Sequence, residues 1–473
     1  MNEKGGFYYM EQKKVTGYGV RGWILIIWIA TAFLAYTAIG NYPLNILSDF
    51  YGGQETLSMI YTVASVIGVI IQLIATSFIG KMKSIKKFGV IMGILSIIAL
   101  LGIMFIPGSS FPGAPAPAMQ TVWQIVYALG TVLSVMYGTF ALSILVGQWF
   151  PTKKGAVMGI ATFAFPLGNG VISVFASTAM GGLETDGTLH VWQAFLPFLI
   201  IFIVGVIIGA IFIPDYPEEV GAYRDNNPNM TPEIAKAMME EEIENKKTTV
   251  WKLNHTFTTR DFWFITIPAG LLLMFSVGTM TQTNSIITAA GLDDKFAMIM
   301  GMIMIFGLVG SFILGLLDQK FGTKKAMVIA CLVMVLAGIF GFVASPENNV
   351  LVIIALVCLA LFMGASSNFT VSLAAQYWRR EDFSTVFAAV NPIANLICAI
   401  GPVVIGMIVG PKMALAGAER FSAITQVFGV IAVAGVVAVI LMLLFSSKHV
   451  KDKDDAYRKA AGKQLDDALV GRK

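Results

Sequence analysis

Long apolar stretches separated by short polar ones cover most of this 473-residue chain. A helix of about 20 apolar residues can cross a hydrocarbon core about 30 Å thick. We find twelve such stretches, six before a polar middle segment and six after it. The predicted spans 1 to 12 are 20–46, 55–79, 87–106, 121–147, 155–178, 191–213, 261–288, 296–317, 324–345, 350–374, 384–409 and 420–446.

These stretches predict membrane helices. A segment in lipid must satisfy its own backbone hydrogen bonds, which a helix does and an isolated strand does not. Barrel strands of ~10 alternating residues do not match such unbroken apolar runs. Composition agrees, because 56% of the residues are hydrophobic and only 13% are charged. The bulk of the chain is therefore predicted to be a polytopic membrane protein.

The distribution of basic residues predicts the orientation. With these spans, 29 of the 32 Lys and Arg residues fall on the side shared by both termini, and only Lys295, Lys412 and Arg420 fall on the other. Positive charge marks the cytoplasmic side of a membrane protein. We therefore expect a multi-pass protein of the cytoplasmic membrane with both termini in the cytoplasm.

Basic clusters recur at equivalent places in the two halves. GKMKSIKKFG (80–89) follows span 2 and GLLDQKFGTKK (315–325) follows span 8, while GQWFPTKKG (147–155) follows span 4 and AQYWRREDF (375–383) follows span 10. Weak internal symmetry of this kind is typical of transporters built from two repeats. The predicted fold is all-α, with twelve transmembrane helices in two six-helix bundles related by a pseudo-two-fold axis.

The domain prediction follows from this pattern. Within the middle segment, Thr231 suits the position that caps a helix and Pro232 suits the first helical position. The linker is therefore predicted to contain a short helix. The predicted units are a cytoplasmic N-terminus (1–19), an N-terminal bundle (20–213), a cytoplasmic linker (214–260), a C-terminal bundle (261–446) and a cytoplasmic tail (447–473).

The chain resembles the major facilitator superfamily. Gly315, Asp318, Gly322, Lys324 and Lys325 are similar to its loop motif G-x-x-x-D-x-x-G-x-[RK]-[RK], with the first glycine and the acid displaced by one residue. Six plus six spans with a long central loop also match. The resemblance implies a secondary active or facilitative transporter that moves a small organic solute by alternating access.

A finer resemblance is to the oxalate/formate antiporters and the related monocarboxylate carriers. It rests on GQWFPTKKGAVMGIA (147–161) and TTRDFW (258–263), and it implies a small organic acid as substrate. These carriers hold carboxylates with basic side chains on spans 8 and 11, where this chain has none. No Asp, Glu, Lys or Arg lies deep in any span, although such residues usually mark substrate or proton sites. A neutral or zwitterionic solute is therefore the alternative, and a membrane sensor that does not transport is another.

Amides and phenols replace charges as candidates for the substrate pathway. Asn391 and Asn395 are four residues apart on span 11 and share a helix face, as do Asn41 and Asn45 on span 1. The alternative role for each is an interhelical hydrogen bond worth about 0.6–2 kcal/mol. The candidates are Tyr36, Asn41, Asn45, Gln72, Tyr137, Asn169, Gln282, Asn284, Asn368, Asn391 and Asn395.

The charges at the cytoplasmic mouth predict a gate. Asp318 can accept bonds from a neighbouring helix N-terminus or from basic side chains, and we expect it to hold the outward-facing state. The alternative is that these charges only fix topology. The gate candidates are Lys153, Lys154, Asp318, Lys320, Lys324, Lys325, Arg379 and Arg380.

Other classes of function find no support in the sequence. There is no G-x-x-x-x-G-K-[ST] loop, so ATP does not drive the protein directly. The three cysteines lie within apolar stretches, and no metal-ligand cluster is visible. We expect no enzyme activity, no cofactor, no metal and no nucleic-acid partner. The expected partners are a small-molecule substrate, the lipid bilayer and a coupling ion or counter-substrate, and the expected state is a monomer.

Overall fold

The computed structural model is helical throughout its described part, apart from turns and connections. It describes residues 17–47, 50–79, 82, 84–106, 117–151, 153–168, 191–227, 229–247 and 249–463. Within these ranges, 11 helices are long and apolar enough to cross a membrane. Predicted span 5 begins as two short helices, Lys154–Ala161 and Ala164–Leu167, and the rest of it lies outside the described residues.

The long helices follow the predicted spans closely. Spans 1 to 4 and 6 are Gly19–Tyr36 continued by Thr37–Asn41 and Tyr42–Ile46, Gln54–Ile79, Ile85–Phe105, Pro117–Ser134 continued by Val135–Leu142 and Ser143–Trp149, and Val191–Phe212. Spans 7 to 12 are Arg260–Thr281 followed by Thr283–Ala289, Phe296–Phe321, Thr323–Phe342, Val350–Tyr377, Arg380–Val409 and Gly417–Leu444.

Local chemistry fixes several helix ends. Span 3 begins after Ser84, whose hydroxyl accepts a hydrogen bond from the Lys87 backbone N–H at 3.0 Å. Spans 8 and 9 are separated by the single residue Gly322, with φ of 87°. A side chain there would be strained in this left-handed region, so glycine permits the sharp reversal.

Glycines also allow close helix packing in the C-terminal half. A Cβ on Gly278 of span 7 would lie 2.8 Å from the carbonyl carbon of Gly401 on span 11. A Cβ on Gly310 of span 8 would lie 2.0 Å from the carbonyl oxygen of Leu361 on span 10. Small residues are favoured where membrane helices approach closely, because packing drives their association.

The two bundles contact each other near both ends of the molecule. We call the end that carries Lys154, Lys324 and Arg379 the basic end, and the opposite one the far end. In the half nearer the far end, Thr62 of span 2 donates to the Ala399 carbonyl of span 11 at 2.8 Å. Towards the basic end, Asn368 of span 10 donates to the Gly155 carbonyl of span 5 at 3.0 Å.

Two longer helices, and short ones such as Leu253–Thr258, lie outside the spans. The linker helix spans Pro232–Lys247, and Thr231 Oγ1 accepts from the Ile234 N–H at 3.4 Å. The C-terminal helix, Ser447–Ala460, lies in the segment that the sequence analysis treats only as a tail. Its sequence is mostly charged, so the apolar periodicity that predicts the spans does not reveal it.

Candidate functional site

A central cavity of about 30 Å³ lies between the bundles. Spans 1, 4 and 5 line it from one side and spans 7, 10 and 11 from the other. Its polar walls include Tyr36, Asn41, Ser276 and Asn395. Its described lining contains no Lys, Arg, His, Asp or Glu. The site can therefore offer hydrogen bonds and aromatic faces, but no formal charge.

The amide pair of span 11 lies along the interface between the bundles. A smaller cavity of about 10 Å³ is lined by both Asn391 and Asn395, and it shares Asn395 and Thr139 with the central cavity. Asn391 donates to the Thr139 carbonyl at 3.4 Å and accepts from the Thr370 hydroxyl at 3.4 Å. The Nδ2 group of Asn395 is buried and has no hydrogen-bond partner within the described structure.

Two π-helical segments bring polar residues to the cavity. They are Thr37–Asn41 in span 1 and Val135–Leu142 in span 4. Asn41 and Thr139, one from each segment, line the central cavity. Such local widenings of a helix are frequent at functional sites, because they redirect side chains. Neither segment is predictable from the apolar periodicity of the sequence, because that periodicity does not register one extra residue in a helical turn.

Hydrogen-bonded tyrosines lie on the side of the cavity that is formed by the N-terminal bundle. The hydroxyls of Tyr36 and Tyr61 are 2.7 Å apart, and Tyr127 donates to the Gly40 carbonyl at 2.8 Å. The ring of Tyr36 meets Phe165 edge to face at 6.1 Å. The sequence analysis named Tyr36 but missed Tyr61 and Tyr127, whose spacing does not distinguish them from ordinary core residues.

Several predicted pathway residues lie away from the cavities. Tyr137 accepts from Trp28 Nε1 at 2.8 Å and joins spans 1 and 4. Gln72 is buried and Asn284 is exposed, and neither lines a described cavity between the bundles. Asn368 joins spans 5 and 10 as described above. The Asn45 side chain and all of Asn169 lie outside the described residues.

Gln282 lies at the far end, where span 7 breaks between its two helices. Its side-chain amide is 3.4 Å from the Ser58 hydroxyl and 3.4 Å from the Pro402 carbonyl. Together with the Thr62 bond, these contacts join spans 2, 7 and 11. They are contacts between the bundles at the far end.

Asp318 lies at the contact between the bundles at the basic end and is 7% exposed. One carboxylate oxygen accepts from the Thr323 hydroxyl at 2.6 Å. The other faces span 5, where a Cβ on Gly155 would be 3.0 Å from it. The helix Lys154–Ala161 begins there, so the carboxylate lies at the positive end of a helix dipole from the other bundle.

A buried cation–π contact also joins the bundles at the basic end. The Lys154 ammonium is 3.5 Å from the ring centroid of Phe383, the fourth residue of span 11. Both side chains are buried. Such a contact is worth more when it is desolvated than when it is exposed to water.

The other predicted gate residues have separate roles. Lys153 Nζ donates to the Gly17 carbonyl at 2.7 Å and to the Asp225 carbonyl at 2.9 Å. Partial burial lowers the pKa of the Lys153 ammonium, and the Asp225 carboxylate opposes that shift. Lys324 Nζ donates to the Phe445 carbonyl at 2.7 Å, and Arg379 pairs with Asp454 at 3.0 Å. Lys320 and Lys325 are exposed, and the Arg380 side chain lies outside the described part.

A vestibule of about 620 Å³ opens at the basic end. Lys154, Asp318 and Phe383 line it, with Met230 and Met238 from the linker region. It shares no lining residue with the central cavity. Among the described residues, contacts between the bundles therefore lie on both sides of the central cavity. Among the described residues, no group of three or more His, Cys, Asp or Glu side chains could hold a metal ion.

Comparison with known sequences identifies relatives of the chain. Residues 24–402 match the family model described as Major Facilitator Superfamily. A curated relative is the glycine betaine/proline/ectoine/pipecolic acid transporter OusA of Dickeya dadantii (strain 3937), which is 23% identical over 383 residues. That alignment covers 78% of this chain and 66% of OusA, so the chain matches about two thirds of the relative's length.

Solved structures show the same fold at low sequence identity. The proton:xylose symporter XylE bound to 6-bromo-6-deoxy-D-glucose has a TM-score of 0.65 at 13% identity, covering 92% of this chain and 98% of that one. A bacterial homologue of the iron transporter ferroportin in an outward-facing state has a TM-score of 0.62 at 13% identity, covering 91% and 100%. The likeness to the oxalate/formate antiporters stays a prediction. With a family model matched over most of its length and this fold, the chain belongs to the major facilitator superfamily.

Proposed function

We propose that the chain carries a small zwitterionic or uncharged organic solute across the cytoplasmic membrane by alternating access. The observation that carries this proposal is the central cavity, whose described lining has no ionised side chain. An ionic substrate with two negative charges would need buried countercharges, which are costly in a membrane unless they are paired. A solute with no net charge needs none.

The chemistry of the cavity walls favours a zwitterion in particular. Asn395 Nδ2 and the Tyr36–Tyr61 hydroxyl pair can donate hydrogen bonds to a carboxylate. The Phe165 and Tyr36 rings offer aromatic surface to an ammonium group, which is attracted to ring faces. OusA, the curated relative, is named as a carrier of betaine, proline and related solutes. This relationship supports the proposal without extending that activity to this chain.

A small monocarboxylate is the second candidate. The same neutral donors can bind one carboxylate, and the sequence motifs after span 4 and before span 7 resemble those of monocarboxylate carriers. A dicarboxylate such as oxalate fits poorly, because the described cavity lining offers no second charge partner.

We further propose that the basic end faces the cytoplasm and that the structure is the occluded intermediate. The Asp318 carboxylate at the start of span 5 and the Lys154–Phe383 contact would then close the cytoplasmic side. The Gln282 and Thr62 hydrogen bonds would close the outer side. Breaking the cytoplasmic contacts while the outer ones persist would give the inward-facing state, and the reverse would give the outward-facing state.

Uptake into proteoliposomes tests the substrate class. The purified protein is reconstituted and supplied with radiolabelled glycine betaine, L-proline, L-lactate, oxalate or D-xylose. We expect saturable uptake of a zwitterion and none of oxalate. Uptake of lactate alone would favour the second candidate, whereas uptake of oxalate would overturn the argument from the uncharged cavity.

Thermal stability in detergent separates a transporter from a sensor. A ligand at 100 times its Kd stabilises the native state by about 2.7 kcal/mol, so its binding raises the melting temperature. Stabilisation by a solute that is also taken up supports transport. Stabilisation by a solute that never enters the liposomes would favour the membrane sensor.

A further inference from the structure

The C-terminal helix, Ser447–Ala460, packs on the basic end through a polar face. Val450, Asp454 and Arg458 are four residues apart, so they lie along one side of the helix. All three are buried, with Asp454 3% and Arg458 2% exposed. Buried charges require partners, because an unpaired charge in a protein interior is costly.

An ion network supplies those partners. Asp454 Oδ2 accepts from Arg379 Nε and from Arg458 Nε, both at 3.0 Å, and its Oδ1 accepts from Trp251 Nε1 at 2.9 Å. Arg458 Nη2 donates to Asp382 Oδ2 at 2.6 Å. The network therefore joins the C-terminal helix to the end of the linker, to the connection between spans 10 and 11 and to the first turn of span 11.

The first turn of span 11 carries a contact between the bundles. Arg379 lies just before this turn, and Asp382 within it precedes Phe383, whose ring contacts the Lys154 ammonium of the other bundle. A Cβ on Gly147 would also lie 2.8 Å from the Phe383 ring. The C-terminal helix thus holds the residues next to the contact that closes the basic end.

A second attachment fixes the start of the helix. Asp261, at the beginning of span 7, accepts from the Ser446 backbone N–H at 2.8 Å and contacts His449 Nδ1. Near the other end of the helix, Tyr457 stacks on His255 at 4.1 Å between ring centroids. The helix is therefore held at several points, and the Asp454 network is the attachment that reaches the gate.

We propose that the C-terminal helix is a conformational anchor, with Asp454 and Arg458 as positioning residues that keep the connection between spans 10 and 11 in its closed arrangement. Loss of the network allows Phe383 to leave its contact with Lys154 of span 5. The fraction of molecules that are open at the basic end then rises. The inference rests on the proposed alternating access, but it concerns control of the gate and not the substrate.

Distance measurement between the bundles tests the anchor. Spin labels are placed at the exposed positions Lys87→Cys and Lys325→Cys, in the full chain with Cys331, Cys358 and Cys398 changed to alanine. Double electron–electron resonance then reports the separation of the two bundles at the basic end. In Arg458→Gln we expect the population of the longer distance to rise at least twofold.

The matched control is Lys451→Gln on the same helix. Lys451 pairs with Asp455 at 2.9 Å, and both are more than a quarter exposed, so the control removes an ion pair outside the network. We expect its distance distribution to equal that of the parent. If Arg458→Gln fails to fold, Trp251→Phe removes the indole donor to Asp454, together with part of the ring that packs on Trp378 and Tyr457, and should shift the distances in the same direction.

Unchanged distances in a folded Arg458→Gln or Trp251→Phe protein would overturn the anchor, as would an equal shift in Lys451→Gln. The readout needs no substrate. A distance shift without any uptake would therefore support the anchor while contradicting the proposed transport, and normal uptake with unchanged distances would do the reverse.

Discussion

The side chains that could face a solute are distinguished from those that join helices by their hydrogen-bond partners. Asn395 keeps a free N–H group beside the central cavity, whereas Asn368 uses its N–H to join spans 5 and 10. Sequence spacing placed Asn391 and Asn395 on one face, which the structure turns toward the interface. Sequence spacing does not determine how the other helices are rotated about their axes. Asn284 was therefore predicted to line the pathway, although its side chain does not reach the cavities.

Loss of the Asn395 amide should weaken substrate binding. A hydrogen bond to a charged group contributes about 1.5–3 kcal/mol, so Asn395→Ala should raise KM by about tenfold or more if the amide holds a carboxylate. Asn284→Ala is the matched control, because that amide is exposed and lies outside the cavities. Initial rates of uptake over a substrate series measure both. An unchanged KM in Asn395→Ala would remove this residue from the site.

Asp318 should stabilise closure of the basic end through the helix dipole. A carboxylate at a partly buried helix N-terminus is worth up to about 2 kcal/mol, so Asp318→Asn should shift the open–closed equilibrium several-fold towards opening. Gly155→Ala should act in the same direction, because its Cβ would lie 3.0 Å from the carboxylate. Spin-label distances at the basic end measure the shift. Asp294→Asn, an exposed acid near the far end, serves as control, and equal distributions in all three variants would contradict the role of Asp318.

At the scale of helices, hydropathy predicted where the spans lie, because lipid exposure imposes length and composition on every one of them. It could not predict the two π-helical segments or the break at Gln282, because these change the backbone without changing mean polarity. The C-terminal helix was missed for the opposite reason. Its buried face carries Asp454 and Arg458 beside Val450, so it has no continuous apolar stripe.

Close packing of spans 7 and 11 should be sensitive to a single methyl group. A Cβ on Gly401 would lie 2.3 Å from the Met274 carbonyl oxygen, which belongs to the backbone and cannot rotate away. Overpacking of this kind costs about 1–3 kcal/mol, so Gly401→Ala should lower the thermal stability. Gly301→Ala, where no atom lies within 4 Å, should be neutral or stabilise by about 0.5–1 kcal/mol. Melting curves of the two variants in the same detergent test this difference in stability. Equal melting temperatures would show that spans 7 and 11 can move apart to accept the extra methyl group.

For the whole molecule, the sequence predicted two helical bundles with polar residues between them, and the structure adds the contacts between the bundles on both sides of the central cavity. Contacts near both ends leave a central cavity of about 30 Å³, which is large enough to hold a water molecule. These contacts could not be predicted from one sequence, since alternating access requires that the same residues support several arrangements of the bundles.

Closure at both ends should make Cys398 a reporter of the cycle. This thiol lines the central cavity and is 4% exposed. With Cys331 and Cys358 changed to alanine, a water-soluble maleimide should label Cys398 slowly, and a saturating substrate should slow it further by at least threefold. Labelling rates are read by mass spectrometry. A rate equal to that of the unfolded protein would contradict the occluded arrangement.

The absence of ionised side chains from the described cavity lining has an electrical consequence. One elementary charge moved through 100 mV changes the energy by about 2.3 kcal/mol, so a carrier senses voltage only through charges that cross the field. A zwitterion in this cavity adds no net charge. Its uncoupled exchange across a liposome membrane should run at the same rate at 0 and at −100 mV imposed by a potassium gradient with valinomycin, whereas a monocarboxylate would bring its own voltage dependence. Such a carrier would equilibrate its solute without drawing on the membrane potential, and accumulation above equilibrium would require a coupling ion or a counter-substrate.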